Sequence, residues 1–444
     1  MSALARYFRH LGYPVSGYDR TRTDLTIQLE DEGMKIHYED SVAGIPEEVR
    51  ANPGECLVIY TPAIPPGHAE FNYLQAQGFE LMKRSKLLGW IVNSSEGIAV
   101  AGTHGKTTVS TMISHLLFQA GLPMMAFLGG ISRNYQSNLI LGKGHDYIVA
   151  EADEFDRSFL QLTPFLAVIT SADADHLDIY GSHEEVLRSF GLFARQVKED
   201  GFLILKKGLP FSPAEGNQVK VYTYAALDEA DFHASNHHYR DGKSRFDLVT
   251  PFGWDEGFEL SLPGKANVEN AVAALAAGIC LGVPVEVLQK ALATFTGVVR
   301  RFDIQVHGQR LVYIDDYAHH PEELKAIINA AREMFPGRKL TGVFQPHLYT
   351  RTRDFAPGFA ESLSLLDELI MLDIYPAREL PIEGVNAQMI LDKVTLANKM
   401  ICSKTELLEV IEKRNIEVLL TLGAGDIDTF VKPMKELIEK KDRL

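Results

Sequence analysis

Ile98-Ala99-Val100-Ala101-Gly102-Thr103-His104-Gly105-Lys106-Thr107-Thr108 joins an apolar run of strand length to a glycine-bearing turn, and a helical stretch follows from about Thr107 to Ala120. That succession is a phosphate cradle in physical terms. Gly102 and Gly105 let backbone N–H groups approach phosphate oxygens, with Thr103, His104 and Thr108 completing the loop. The helix aims its positive end at the same point. Lys106 would neutralise the terminal phosphates, and the Thr107 hydroxyl would ligate Mg2+. The run is not the full Walker pattern, because Val100 stands where that pattern needs a Gly. The plain alternative is a glycine turn with a solvated lysine. The strand before it and the helix after it argue for the cradle.

Working outward, the chain reads as three blocks, 1–95, 96–298 and 299–444. In the first, Ser2–Leu11 reads as a helix, Val15–Tyr18, Lys35–Tyr38 and Cys56–Tyr60 as strands, and Phe71–Gln77 as helical. In the second, Tyr147–Glu151 and Leu166–Thr170 are apolar runs of strand length, and Val268–Leu281 is an Ala-rich helix. In the third, Arg310–Ile314, Leu340–Phe344, Leu369–Leu372 and Glu417–Leu422 read as strands, alternating with helices at Pro321–Met334, Phe355–Leu366 and Asp426–Glu439. Strands alternating with helices predict an α/β fold with parallel sheets covered on both faces. The first block opens on a helix. A doubly wound nucleotide-binding unit opens on a central strand and a Gly-rich turn. A first strand is therefore expected to be missing, through a start shorter than that of the natural product rather than a rearranged sheet.

Length and composition bound the rest. At roughly 150 residues per domain, 444 residues predict about three domains. The formal charge of −15 repels phosphate at long range, so nucleic acid is not an expected partner and any phosphate ligand must be held by local groups. Cys56, Cys280 and Cys402 are widely spaced and make no disulfide framework, as suits a reducing cytoplasm. Residues 1–20 carry Arg6, Arg9, His10, Asp19 and Arg20 and hold no clean apolar core before a cleavage site, so a secretory leader is not expected in them. The longest apolar stretch, Ala271–Val283, stops at Pro284, short of the about 18–20 residues of a membrane span.

Three further clusters carry chemistry. Glu151-Ala152-Asp153-Glu154-Phe155-Asp156 follows a strand, and its carboxylates suit a hard cation, although an acidic loop is often only surface. Ser171-Ala172-Asp173-Ala174-Asp175-His176 ends the next strand, where His176 would have metal and phosphate as neighbours. Asp315-Asp316-Tyr317-Ala318-His319-His320-Pro321 and Gln345-Pro346-His347-Leu348-Tyr349-Thr350-Arg351-Thr352-Arg353 lie at strand ends of the third block, where open α/β sheets bind ligands. They supply anion binding and proton transfer. The bland readings are a helix cap for Asp316 and a surface ion pair for Arg353.

Together Gly102–Thr108, Glu151–Asp156, Asp173–His176, Arg300-Arg301-Phe302-Asp303 and Asp315–Pro321 resemble the Mur ligases, the ATP-dependent amide-forming enzymes of peptidoglycan synthesis, and the resemblance covers essentially the whole chain. It implies three domains: a UDP-binding Rossmann-like domain, a central ATPase domain and a Rossmann-like domain that closes on ATP and the amino acid. The Tyr349–Asp354 segment implies the member that joins UDP-N-acetylmuramate to L-alanine, with ATP and Mg2+ (or Mn2+), as a monomer or homodimer. Carried over residue by residue, Lys106 would bind the β- and γ-phosphates, Thr107 and Glu151 would hold Mg2+, and His176 would ligate a second ion. Asn267 and Asn270 would face the adenine, and Arg301 and Asp316 would reach the nucleotide. His320, His347 and Arg351 would line the alanine and acyl-phosphate site. Asp19 and Thr61 would lie near the UDP, and Asn138 and Ser158 near the muramic acid.

The chain departs from the family in four places. The family's Gly-rich start is absent before Met1, Ala266 stands for a common His, Leu348 for a common Arg and Ser171 for a common Asn. The competing readings are the related recycling ligase, which adds a tripeptide to the same nucleotide sugar, and a P-loop ATPase that ligates nothing. The ATPase has no need of the His and Arg clusters of the third block.

Overall fold

A strand buried on both faces has no polar side to show. Ile98–Ala101, Ile148–Ala150 and Leu166–Ile169 show none, and all these residues are fully buried. The structure is a computed structural model that describes residues 1–175, 177–210, 218–377 and 379–443, with only the backbone of 177 and 178. By backbone contacts the chain divides into two compact units. The first is Met1–Ser110 with Leu117–Ile131 and Tyr135–Tyr222; the second is Thr111–Leu116 with Ser132–Asn134 and Thr223–Leu444.

In the first unit, strands β1 (Ser16–Tyr18) and β2 (Lys35–His37) pair in parallel, as do β3 (Leu57–Tyr60) and β4 (Glu80–Lys83), in two separate two-stranded sheets. Residues 1–95 form no single sheet. The central sheet then holds β5 (Glu96–Ala101), β6 (Met124–Ser132), β7 (Ser137–Leu141), β8 (Tyr147–Ala152), β9 (Leu166–Ile169) and β10 (Phe202–Lys206), in the order β10-β9-β5-β8-β6-β7. Strand β5 runs parallel to both of its neighbours, β8 and β9. Helix His183–Ala194 covers this sheet. Ser182 caps its start by accepting from the Glu185 N–H, and Val186, Phe190 and Phe193 recur on one face and are buried. Phe159 stacks on Phe193 at 5.1 Å and meets Phe190 edge-on at 5.2 Å.

Strand β11 (Lys220–Ala225) starts in the first unit and ends in the second, and β12 (Phe232–Arg240), β13 (Lys243–Thr250) and β14 (Gly253–Leu260) of the second unit follow it in sequence order. Here the expectation of parallel sheets needs correction. Strands β12, β13 and β14 form an antiparallel meander. The turn Asp241-Gly242, with φ of 53° and 76°, is the tight hairpin type that such a pair favours. The last sheet holds β15 (Asp303–His307), β16 (Val312–Asp316), β17 (Leu340–Phe344), β18 (Glu368–Met371), β19 (Lys399–Ile401) and β20 (Val418–Leu422), ordered β15-β16-β20-β17-β18-β19. Its strands are parallel except β15, which runs against β16. Helix Pro321–Met334 has the bounds that the sequence predicts. The helix expected at Phe355 starts instead at Tyr349 and runs to Leu363, which puts Arg351 on a helix and buries it. The stretch expected as one helix from Asp426 is a short 3-10 turn, Asp426–Phe430, followed by the helix Val431–Arg443.

Helix Ser2–His10 is tied into the first unit through one buried cation. Arg6 reaches Glu32 with Nε at 2.9 Å and Nη2 at 2.8 Å, and its Nη1 donates to Asn138 Oδ1 at 2.7 Å. The amide of Asn138 in turn donates to Ser2 Oγ at 2.7 Å. Asn138→Ala would strip both partners and leave part of a buried guanidinium without an acceptor. The expected loss is about 1–3 kcal/mol of unfolding free energy, read from the urea midpoint; an unchanged midpoint would show that this contact holds nothing.

Candidate functional site

The parallel register sets opposite Val100, near the end of β5, residue Glu151 of β8. The loop Gly102–Gly105 leaves the end of β5, and the helix Lys106–Gln119 begins directly after it. Gly102 has a φ of 142°, and a Cβ there would stand 2.1 Å from Thr170 Oγ1 and 2.8 Å from the Ser171 backbone nitrogen, so only glycine fits. Strand β9 supports the loop from its other side. Ser171 Oγ accepts from the His104 N–H at 2.7 Å and lies 2.9 Å from Thr103 Oγ1, while Thr103 Oγ1 accepts from the Asp173 N–H at 3.1 Å. The serine that replaces a common asparagine therefore has a structural task, which is to fix the backbone of the loop.

Thr107 Oγ1 donates to Glu151 Oε2 at 2.9 Å. Gly129 of β6 leaves the space that the Glu151 carboxylate fills, since a Cβ at Gly129 would lie 2.0 Å from Glu151 Oε2. A hydroxyl and a carboxylate meeting at the mouth of the loop suit a hard cation, which takes oxygen donors and completes its shell with phosphate and water. Among the described residues no three His, Cys, Asp or Glu side chains converge into a metal cage. His176 lies outside the described residues.

Lys106 Nζ lies 2.8 Å from Glu154 Oε2 and donates to the Gly102 carbonyl at 2.5 Å. Burial by itself pulls the lysine pKa down, but the carboxylates of Glu154, Glu151 and Asp153 outweigh it and the pKa stands above its usual value. Lys106 is therefore an ammonium at neutral pH. Burial pushes the Glu154 carboxyl upward, with Lys106 opposing that shift.

In the first unit a cavity of about 270 Å³ is lined by Met1, Thr61, Pro62, Ala63, Arg84, Ser85, Phe155 and Ser158. It brings together the predicted residues Thr61 and Ser158. A second cavity of about 330 Å³ lies between Tyr60–Pro66 and the helix residues Phe71, Asn72 and Gln75, and shares Thr61. Asp19 is exposed after β1 and accepts from the Thr21 N–H, and Asn138 is engaged by Arg6 and Ser2; neither lines the two cavities. The sequence did not single out Arg84 or Phe155, because nothing local marks them.

In the second unit the ends of β16, β17 and β20 share one edge of the sheet. Asp316, the last residue of β16, takes the Phe302 N–H on Oδ2 at 2.6 Å and the Ala318 N–H on Oδ1 at 2.8 Å. It thus holds Phe302, whose φ of 45° is unusual for a residue with a side chain. Burial pushes its carboxyl up to about 6, with Arg301 opposing. Arg300 and Arg301 both lie over the Tyr317 ring, at 5.2 and 5.1 Å. His320 caps the helix Pro321–Met334: its Nδ1 accepts from the Glu322 N–H at 3.4 Å, and Glu323 answers with a bond from the His320 N–H at 3.3 Å. Next to it, the ring of His319 stands 6.0 Å from that of His347, which is stacked on Tyr375 at 5.7 Å. Arg351 Nη1 comes within 3.4 Å of His347 Nδ1. His347, Arg351 and His319, to which the sequence assigned no role of its own, therefore form one cluster. Arg353 is half exposed and pairs with Asp354 at 2.7 Å, as its bland reading has it. Asn267 donates to the Pro263 carbonyl at 2.8 Å from the first turn of the helix Lys265–Cys280, and Asn270 is half-buried on the same helix.

Family descriptions match almost the whole chain in this order: "Mur ligase family, catalytic domain" over residues 1–96, "Mur ligase middle domain" over 100–278 and "Mur ligase, glutamate ligase domain" over 300–427. A UDP-N-acetylmuramate–L-alanine ligase from Parabacteroides distasonis is 54% identical over 443 residues, covering 100% of this chain and 96% of that protein. One of the same name from Phocaeicola vulgatus is 50% identical, covering 99% of this chain and 96% of that protein. Among solved structures, the UDP-N-acetylmuramate–alanine ligase of Thermotoga maritima superposes with a TM-score of 0.84 at 26% identity, covering 99% of this chain and 97% of that one. A murein peptide ligase from Psychrobacter arcticus shares the fold, with a TM-score of 0.71 at 22% identity over 99% of this chain and 96% of that one. With the phosphate loop, the strand-end carboxylates and these full-length matches in agreement, the chain belongs to the Mur ligase family and has its three-domain α/β architecture.

Proposed function

We propose that this chain joins the carboxyl group of UDP-N-acetylmuramate to the amine of L-alanine while ATP is converted to ADP and phosphate. The observation that carries the reading is local: Lys106, Thr107 and Glu151 stand together where a glycine loop meets a helix N-terminus. The choice of substrates is supported by relatives of that name at 54% and 50% identity over the full chain.

Charge dictates the chemistry. A carboxylate is a poor electrophile and hydroxide a poor leaving group, so the muramoyl oxygen first attacks the γ-phosphorus and ADP leaves. The resulting acyl phosphate accepts the alanine amine at its acyl carbon. Phosphate departs carrying the former carboxylate oxygen, and the amine gives up a proton. Two anions meet in the first step, so the site must supply positive charge. Lys106 would bind the β- and γ-phosphates, with the N–H groups of the loop 102–105 beside it. Thr107 and Glu151 would hold Mg2+ or Mn2+, which when bound spreads the phosphate charge. His176 would complete a second metal position. Asn267 and Asn270 would face the adenine. Arg301 and Asp316 would order the approach of the nucleotide, Asp316 through the backbone of Phe302.

For the second step His347 and Arg351 would bind the alanine carboxylate and the acyl phosphate. His320 would act through its capping of the helix, because its Nδ1 is engaged there. Thr61 and Ser158 would contact the nucleotide sugar in the cavity they share, and Asp19 would lie at its UDP end. Asn138 would support this region by holding Arg6. We place the reaction in the cytoplasm, where ATP and UDP-sugars are made; among the described residues no helix is long and apolar enough to cross a membrane.

Supplied with ATP, Mg2+ and UDP-N-acetylmuramate, the chain is expected to consume L-alanine and to ignore the murein tripeptide; use of tripeptide alone would identify the recycling reaction instead. Lys106→Ala is expected to lower kcat/KM about 10³-fold, by loss of charge on the transferring phosphoryl group. Gly129→Ala pushes into the Glu151 carboxylate. It should raise the Mg2+ concentration needed for half-maximal turnover while leaving metal-free ADP binding unchanged, and an unaltered Mg2+ response would remove Glu151 from the metal site.

A further inference from the structure

Glu154 sits in the acidic run after β8, but its surroundings differ from those of Glu151. Its side chain is only 2% exposed, and its two carboxylate oxygens lie 2.8 and 2.9 Å from Lys106 Nζ. The backbone at this position is held from two sides: the Glu154 carbonyl accepts from the Tyr180 hydroxyl at 2.6 Å and from the Arg157 N–H at 2.9 Å. The preceding Asp153 is pinned as well, taking the Phe155 N–H at 3.1 Å and Arg84 Nη2 at 3.3 Å. The carboxylate is therefore presented to the lysine by a fixed loop.

A phosphate loop needs the charge of its lysine for the nucleotide. Here a buried anion already neutralises that charge, and Glu151 and Asp153 add further negative charge close by. An incoming polyphosphate would meet more carboxylates than ammonium groups. It gains Lys106 only if the ammonium leaves Glu154, and separating a buried, well-aligned ion pair is costly. We propose that Glu154 is the resting counter-ion of Lys106, a positioning residue whose carboxylate the nucleotide phosphates must displace. The proposal rests on reading the loop Gly102–Thr108 as the nucleotide site. It accounts for the burial of Glu154, which a metal ligand open to water would not require. It also makes nucleotide affinity a difference between two ion pairs, so that the protein binds polyphosphate less tightly than its loop alone would allow. Phe155, the next residue, lines the cavity of about 270 Å³ that contains Thr61 and Ser158, so the segment that restrains Lys106 also forms a wall of that cavity.

The test is metal-free ADP binding to the full chain, measured by titration calorimetry. Glu154→Gln and Glu154→Met both remove the charge and nearly preserve the volume; each is expected to bind ADP about tenfold more tightly than the parent, a gain of about 1.4 kcal/mol. Glu154→Asp keeps the charge and should show no such gain. A merely structural role cannot produce tighter binding, because loosening the site weakens it. Should the Gln variant fail to fold, the Met variant decides. Unchanged or weaker binding in a folded charge-removing variant overturns the counter-ion assignment. Failure of the parent chain to bind ADP at all would overturn the nucleotide-site reading, and the proposal with it.

Discussion

The pairing of β5 with β8 in parallel is the constraint on which the rest depends. Parallel neighbours end on the same side of a sheet, so the loop that leaves β5 and the carboxylate that ends β8 must emerge together. The register sets Val100 against Glu151, and the next turn of chain delivers Thr107 to within 2.9 Å of that carboxylate. A slip of one residue would turn Glu151 to the other face and leave Thr107 without it. The complete burial of Ile98–Ala101 and Ile148–Ala150 is what prevents such a slip, because the packing of both faces specifies the register.

The electrostatics follow from that placement. A chain of formal charge −15 offers no general attraction to nucleotides, so it concentrates its positive character at particular points. Lys106 is one of them, and it is held within a set of carboxylates. Arg300 and Arg301, both lying over Tyr317, form another. Each cation is anchored by an aromatic ring, a backbone carbonyl or a buried acid. Ordering of that kind is expected where charge has to be in place before a phosphoryl group moves.

Much of the fold was legible because burial leaves a compositional mark. Leu340–Phe344 and Pro321–Met334 have in the structure the bounds that the sequence suggests, the first as a short, largely apolar run without a charge and the second from a proline at a helix start to its last apolar residue. The phosphate loop was legible because its glycines, lysine and threonine are contiguous. Other features were not, for physical reasons. Strand β12 carries Asn236, His237 and His238 among its residues, which blurs its alternation, although the Asp241-Gly242 turn was a usable signal. The helix at Tyr349 begins in a polar stretch after Leu348, whose φ of 71° nothing local announces. Asn138 meets Arg6 across 132 residues of chain, so its engagement depends on tertiary structure. Among the acids of 151–156, only the fold distinguishes the two that face Thr107 and Lys106 from those at the surface.

The central claim is that the cationic loop and the carboxylate beside it serve to activate a carboxyl group. Isotope transfer tests this most directly. UDP-N-acetylmuramate labelled with ¹⁸O in both carboxyl oxygens would be turned over by the chain with ATP, Mg2+ and L-alanine, and the released phosphate examined by mass spectrometry. The account predicts one ¹⁸O in each phosphate and one retained in the new amide. Amide formation with unlabelled phosphate, or phosphate release without amide, would contradict it.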